Sequence, residues 1–236
     1  KADGFDITSF PNSGYCLSQD DDSLSEAEIR RFLTAKAFGS EIEIAAEIDS
    51  TNAELKRRTE PMADGFVLVA NRQTGGKGRL GRAFSSEKGQ GIYMSIALKP
   101  LLPIEQTQHI TICAAVAVCN AIEAACGFSP QVKWVNDIYY QGKKLCGILT
   151  EAVIGAELGK ISLLVLGIGL NTGKIPSEFA DIAGSVADFC TEKGLRNRLI
   201  AQILNNLEAE YSKLGSKKGF AEIIESYRKR QFIFGE

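Results

Sequence analysis

Apolar positions along the chain fall into short alternating runs and longer helical stripes. Ser25 and Glu28 have capping-box spacing, and Leu24 is placed for a hydrophobic staple. A helix is therefore predicted from Ser25, with Ile29, Phe32 and Leu33 as its apolar face. Residues 42–48 alternate as a strand; Asp49-Ser50-Thr51-Asn52 breaks it, and Thr51 with Glu54 has the spacing to open a second helix. Residues 66–70 and 92–98 are short apolar strands, and residues 104–126 predict a long helix with Ile110, Cys113, Ala114, Ala117, Val118, Ala121 and Ala125 on one side. Three more strands are expected at 132–140, 144–153 and 161–168. Gln141-Gly142 and residues 155–159 join them, and connections this short favour antiparallel neighbours. Helices at 199–214 and 220–227 close the pattern. Strands flanked by helices without regular βαβ alternation give an α+β class with a mixed, largely antiparallel sheet.

The first 22 residues differ from the rest of the chain. Residues 4–7 and 11–17 read as two extended pieces around a Pro/Asn/Ser/Gly turn, and Gln19-Asp20-Asp21-Asp22 as a linker. Two strands without a third are marginal alone, which suggests the edge of a domain lying upstream of Lys1. The expected division is 1–22 and 23–236.

Composition narrows the class. Of 236 residues, 44% are hydrophobic and 24% charged, the balance of a globular domain and not of a disordered one. No apolar run is expected to reach the ~18–20 residues of a membrane helix. Lys plus Arg at 27 against Asp plus Glu at 29 excludes attraction of nucleic acid by the whole surface, though not by a local basic site. Six cysteines (16, 113, 119, 126, 146, 190) form no C-x-x-C pair, and one His argues against a Cys/His zinc site. With no signal peptide visible, the expected compartment is a reducing cytoplasm.

The richest chemistry lies at residues 73–82, Gln-Thr-Gly-Gly-Lys-Gly-Arg-Leu-Gly-Arg. Four glycines alternate with three cations directly after a strand. Glycine lets backbone N–H groups approach a ligand, and Lys and Arg beside them make a seat for an anion. Gly76 to Gly81 spells G-x-G-x-x-G, but the loop runs into Phe84-Ser85-Ser86, not an apolar helix, so the dinucleotide reading fails; no Walker sequence occurs. Lys133-Trp134-Val135-Asn136-Asp137 is read as a strand with Lys133, Val135 and Asp137 on one face and Trp134 in the core. Asn136-Asp137 is equally suited to start a bend or to supply oxygen neighbours of Mg²⁺. Gly147, inside an apolar strand, marks close approach by a ligand, and the glycines of Gly167-Ile168-Gly169-Leu170-Asn171 either make a turn at the end of a buried strand or clear space beside a bound ring. A lone His109 far from any G-x-S-x-G argues against a Ser-His-Asp triad. Mostly cationic chemistry suits a polyanionic transition state, as in nucleotidyl transfer.

Together, Asp49-Ser50-Thr51-Asn52, the 73–82 loop, Lys133-Trp134-Val135-Asn136-Asp137, Lys144-Leu145-Cys146-Gly147-Ile148-Leu149 and Gly167-Ile168-Gly169-Leu170-Asn171 resemble biotin protein ligases in order and spacing over about residues 40–230. The resemblance implies a catalytic domain like that of class II aminoacyl-tRNA synthetases. It implies activation of biotin by MgATP to biotinyl-5′-AMP and transfer to a lysine of a biotin carboxyl carrier protein. Carried over residue by residue, Ser50, Thr51 and Gln73 would hold the ureido head, and Asn52 would also bind biotin. Gly76, Lys77, Gly78 and Arg79 would wrap the acyl-phosphate, with Lys144 on the carboxylate and Gly147 leaving room for the ring. Arg79, Arg82, Phe84, Lys133, Asn136, Lys144 and Asn171 would serve the nucleotide; Arg79, Lys144 and Asp137 would be catalytic. Magnesium would have no fixed protein ligands. Lys77 stands where the family has Arg, which removes a planar fork; Phe84 stands where several relatives have Trp; Val135 stands where Pro is common. The resemblance also makes residues 4–17 the wing of a winged helix-turn-helix, and residues 227–236 the run into a small β-barrel absent from the chain. The parent would then be a ligase and biotin-dependent repressor with operator DNA as a partner, and a second copy of the chain is a further candidate partner. The alternatives are a lipoate or octanoate ligase or transferase of the same fold, and a domain that mainly senses biotinyl-AMP as corepressor.

Overall fold

The computed structural model describes residues 7–10, 14–17, 22–99, 106–155, 161–192 and 194–232. Strands β1 (Ile7–Phe10) and β2 (Gly14–Leu17) pair antiparallel as a hairpin; β2 falls within the second expected piece, whereas β1 follows the first and shares only Ile7 with it; residues 4–6 and 11–13 lie outside the described residues. Helix α1 (Glu26–Phe32) starts where its pattern predicts, with the Ser25 hydroxyl accepting from the Glu28 N–H.

The main sheet has seven strands. β3 (Ile42–Ala45) and β4 (Phe66–Ala70) are parallel. β5 (Gly91–Leu98), β9 (Ile161–Asn171), β8 (Lys143–Ile154), β7 (Asp137–Tyr140) and β6 (Gln131–Lys133) follow in that order, all antiparallel. The sheet is mixed and largely antiparallel, as its short connections predict. Gln141 and Gly142 between β7 and β8 both have positive φ (48° and 78°), the backbone a two-residue hairpin requires.

Side chains alternate across this sheet. On one face Ile92, Met94 and Ile96 of β5 and Leu164, Leu166 and Ile168 of β9 meet α3 (Thr107–Cys126), α4 (Leu195–Ser212), α5 (Lys217–Arg230) and α1 in the large core. On the other, Phe66, Leu68, Ala97 and Val165 pack on Leu55 of the short helix α2 (Thr51–Arg57). α2 covers only part of that face; the functional site occupies more of it.

Several expectations are corrected. The hydroxyl capping α2 is Ser50, which accepts from the Ala53 N–H, one residue earlier than the Thr51–Glu54 spacing suggested. β3 stops at Ala45 because the chain turns, and Ile48 then pairs singly with Gln73. The expected strand 132–140 is two strands broken by a turn at 134–136. Trp134 sits on that turn, 60% exposed, not in the core. α3 is long and apolar enough to span a membrane, 20 residues at mean hydropathy 1.6, contrary to expectation; 72% of that stretch is buried within the fold, as befits a core helix. Gly127 (φ 74°) ends it. α4 and α5 begin earlier than their apolar stripes, at Leu195 and Lys217. The first turn of α4 holds Arg196, 2% exposed, whose guanidinium donates to the carbonyls of Gly91 and Asp22 and to Asn71 Oδ1. These bonds compensate the burial of a cation and tie the segment before α1 to the start of β5.

Candidate functional site

A cavity of about 520 Å³ opens on the sheet face that α2 leaves bare, a size suited to a small ligand. Its floor is made by register. Gly147 of β8 is the cross-strand partner of Gly169 of β9, and Gly167 stands opposite Leu149 on one side and Ser95 on the other. The glycines admit other side chains of this protein. A Cβ on Gly169 would lie 2.6 Å from the Phe84 ring, and one on Gly167 would overlap the Asn52 amide. The space at Gly167 and Gly169 is thus taken up by Asn52 and Phe84 of the protein itself. A Cβ on Gly147 would lie 3.3 Å from Lys144 Nζ.

One part of the wall is neutral and strongly hydrogen-bonded. Gln73 is drawn beside α2 because the chain after β4 pairs with the segment after β3: Thr74 N–H donates to Ile48 O at 2.9 Å and Gly75 N–H to Asp49 O at 2.7 Å. Gln73 Oε1 then accepts from the Thr51 N–H (2.9 Å) and hydroxyl (3.1 Å), while Gln73 Nε2 donates to Ser86 Oγ (2.9 Å). Ser50, Thr51 and Asn52 are each under 7% exposed.

The other part is cationic. Among the described residues, Lys77, Arg79, Arg82, Lys133, Lys144 and Lys174 line the cavity against only Glu87 and Asp137 among carboxylates. Arg79 reaches across the opening and donates to Asn136 Oδ1 at 2.8 Å. Asn136 is itself fixed, its Nδ2 donating to Ile148 O at 2.9 Å and its carbonyl accepting from the Ile148 N–H at 2.9 Å. Lys144 Nζ pairs with Asp137 Oδ1 at 2.8 Å. The loop itself is a narrow hairpin: Phe84 N–H donates to Gly76 O (2.9 Å) and Gly78 N–H to Arg82 O (2.7 Å), with Leu80 at its tip, 91% exposed.

All the residues chosen from sequence line this cavity except Gly76, which sits behind it. A Cβ on Gly76 would approach Phe84 O at 2.5 Å, so that glycine lets the loop close on itself. Phe84 lies over Gly169, and Asn171 donates to Gly184 O at 3.0 Å. Lys133 Nζ stands 5.5 Å from the centre of the Tyr139 ring. The two oxygens suggested for magnesium face Arg79 and Lys144; this donor set does not fit a resident divalent ion.

Sequence reasoning missed two groups. Ser95 and Glu151 stand behind the neutral wall, and the only signal was a polar residue inside each of two apolar strands. Ile175, Pro176, Phe179 and Ile182 supply an apolar lip from a segment without periodicity. It reaches the site because Lys144 N–H donates to Ile182 O and Gly184 N–H to Lys144 O.

The model of the biotin/lipoate A/B protein ligase family matches residues 44–171. The chain is 36% identical over 218 residues to the bifunctional ligase/repressor BirA of Bacillus spizizenii, covering 89% of this chain and 66% of that protein. It thus spans just under two thirds of that relative. It is 30% identical over 219 residues to the biotin–[acetyl-CoA-carboxylase] ligase of Mycobacterium tuberculosis, covering 90% of this chain and 79% of that protein. Among solved structures, the biotin protein ligase of Aquifex aeolicus in complex with biotin and ATP superposes with a TM-score of 0.70 at 30% identity, over 83% of this chain and 80% of that one.

Proposed function

The chain belongs to the biotin/lipoate A/B protein ligase family, and on that premise we propose that it is an ATP-dependent biotin–protein ligase. The observation that carries the reading is the joining, in one cavity, of a neutral hydrogen-bonding wall and a cluster of six cations. A ligand with a polar uncharged head and an acidic tail, bound beside a nucleotide, matches that pairing. In the first step a biotin carboxylate oxygen attacks the α-phosphorus of ATP. The bond to the bridging oxygen of the β-phosphate breaks, giving biotinyl-5′-AMP and pyrophosphate. In the second step the ε-amine of a carrier lysine attacks the acyl carbon; AMP leaves with the bonding pair and the amine loses a proton.

Both reactants of the first step are anions, so the residues must hold them together against repulsion. Arg79 and Lys144 are assigned to the carboxylate and α-phosphate, where charge builds up in the transition state. Lys77, Arg82 and Lys133 add charge around the phosphates; at Lys77 it comes as a point charge, not a fork. Asp137 holds Lys144 in place and is assigned to receive the incoming lysine. Magnesium enters with the nucleotide as MgATP. Ser50, Thr51 and Gln73 take the ureido head, while Phe84 and Asn171 face the adenine.

The carrier protein is the proposed partner, in a cytoplasmic setting. The repressor half of the name of the Bacillus relative and the β1–β2 hairpin support reading residues 1–22 as part of a DNA-binding winged domain. Operator DNA and dimer formation are proposed only for a chain carrying the rest of that domain. Calorimetry tests the substrate class. Biotin should bind and lipoate should give no heat; lipoate binding as tightly as biotin would move the chain to the other branch of the family.

A further inference from the structure

We propose that Ser95, Asn52 and Glu151 are positioning residues that leave the neutral wall of the cavity rich in hydrogen-bond acceptors, so that it selects an acid whose far end carries N–H donors. The inference rests on the ligase reading and deepens it. It gives a reason for a ureido ring to be preferred over a dithiolane or an alkyl chain.

Counting protons along the wall shows why. Burial pushes the Glu151 carboxyl up, but hydrogen bonds from Lys56 (2.5 Å) and Asn52, with the charges of Lys56 and Lys77, outweigh this and hold it below its usual range. A carboxylate only accepts. Asn52 therefore presents its Nδ2 to Glu151 Oε2 (2.8 Å) and to Leu149 O (3.3 Å), and its Oδ1 is turned toward Ser95 Oγ at 2.5 Å. The amide can lie flat there only because Gly167 has no side chain. At the other end Gln73 is fixed in the same way: the Thr51 N–H requires Oε1 on that side, and Nε2 goes to Ser86.

Between these two carbonyl oxygens stand two hydroxyls. They make three oxygen–oxygen contacts: Asn52 with Ser95 at 2.5 Å, Ser95 with Thr51 at 2.7 Å and Thr51 with Gln73 at 3.1 Å. Two protons serve three contacts. The network is one donor short; of its oxygens, those of Asn52, Thr51 and Gln73 belong to residues that line the cavity, whereas Ser95, fully buried, does not. A ligand N–H supplies the missing donor. A ligand with no donor leaves buried acceptors unserved, and this kind of mismatch discriminates strongly.

The test uses the full chain, with biotin and its two derivatives methylated on one ureido nitrogen as probes in calorimetry. Wild type should prefer biotin over at least one derivative by about 100-fold or more. In Ser95→Ala one proton serves one contact, and the preference should shrink to within about tenfold. Glu151→Gln, at a partly exposed site, frees the Asn52 amide to turn over and bring a donor to Ser95; it should shrink the preference too, without touching the core. A purely structural role would weaken all three ligands equally. Biotin binding with the wild-type ratio kept in both variants overturns this inference alone. Failure of wild type to bind biotin overturns the ligase reading, and this inference with it.

Discussion

The two walls of the cavity are built in opposite ways. The neutral wall stands on the sheet: Ser50, Thr51, Asn52 and Ser95 are buried, Thr51 and Asn52 are tied by hydrogen bonds to Ser95 of β5, to β8 and to Gln73 after β4, and Ser50 caps α2. The cationic wall hangs largely on a hairpin loop. Lys77, Arg79 and Arg82 are exposed there, and Arg79 is tied back through Asn136. The first wall is preorganised and meets its ligand with little loss of freedom. The second carries like charges that repel until an anion arrives. The division implies an order, recognition of the uncharged head first and gathering of the anions afterwards.

Breaking the cationic wall should have the largest effect. Lys144→Ala should lower biotinyl-AMP formation on the order of 10²–10³-fold, with biotin affinity much less changed. Equal rates by mass spectrometry of the adenylate would remove Lys144 from the chemistry. Breaking the neutral wall should instead act on binding. Gly167→Ala drives a methyl into the Asn52 amide and should cost about 1–3 kcal/mol of stability together with a matching loss of biotin affinity. Unchanged melting and binding would mean that the amide has room to move aside.

A smaller effect sharpens the order of events. Proteolysis between residues 75 and 82 should slow several-fold when biotin and ATP are both present and little with biotin alone. Full protection by biotin alone would make the loop part of the recognition wall. The smallest effect lies at the entrance of α2. Hydrogen bonds from Arg57 and the Ser50 N–H hold the Asp49 carboxyl at about 2, below its ordinary 3.8. Its contribution is therefore full above pH 3.8 and fades as pH falls toward 2. Asp49→Asn should flatten that part of a stability-against-pH curve, and an unaltered curve would show the pair to be without effect, as exposed pairs often are.

Much of the cationic wall is legible in the sequence because its chemistry is local. Lys77, Gly78, Arg79 and Arg82 lie within one loop, and glycines between cations have few other uses. The segment 131–140 reads as one strand because Val132, Ile138 and the residues between them alternate as a strand does. The break at Trp134 comes from pairing with another strand, where Asn136 takes both polar groups of Ile148 for itself. Within those ten residues Asn136-Asp137 allows a bend, but nothing there reveals the partner that makes it. The same holds for Ser95 and Glu151, whose roles depend on the register of β5, β9 and β8, and for Phe179 and Ile182, carried to the cavity by backbone bonds to Lys144. The strands themselves are visible in the chain; which residues they set side by side is not.

The proposed ligase reading requires one cavity to join a carboxylate to the α-phosphate of a nucleotide. Pyrophosphate release in a single turnover, with ATP alone and with ATP plus biotin, reads that step without intermediaries. One equivalent of pyrophosphate per active site is expected only when biotin is present, with biotinyl-AMP left bound. Pyrophosphate released equally without biotin, or none in either case from a chain that binds both ligands, would refute the assignment.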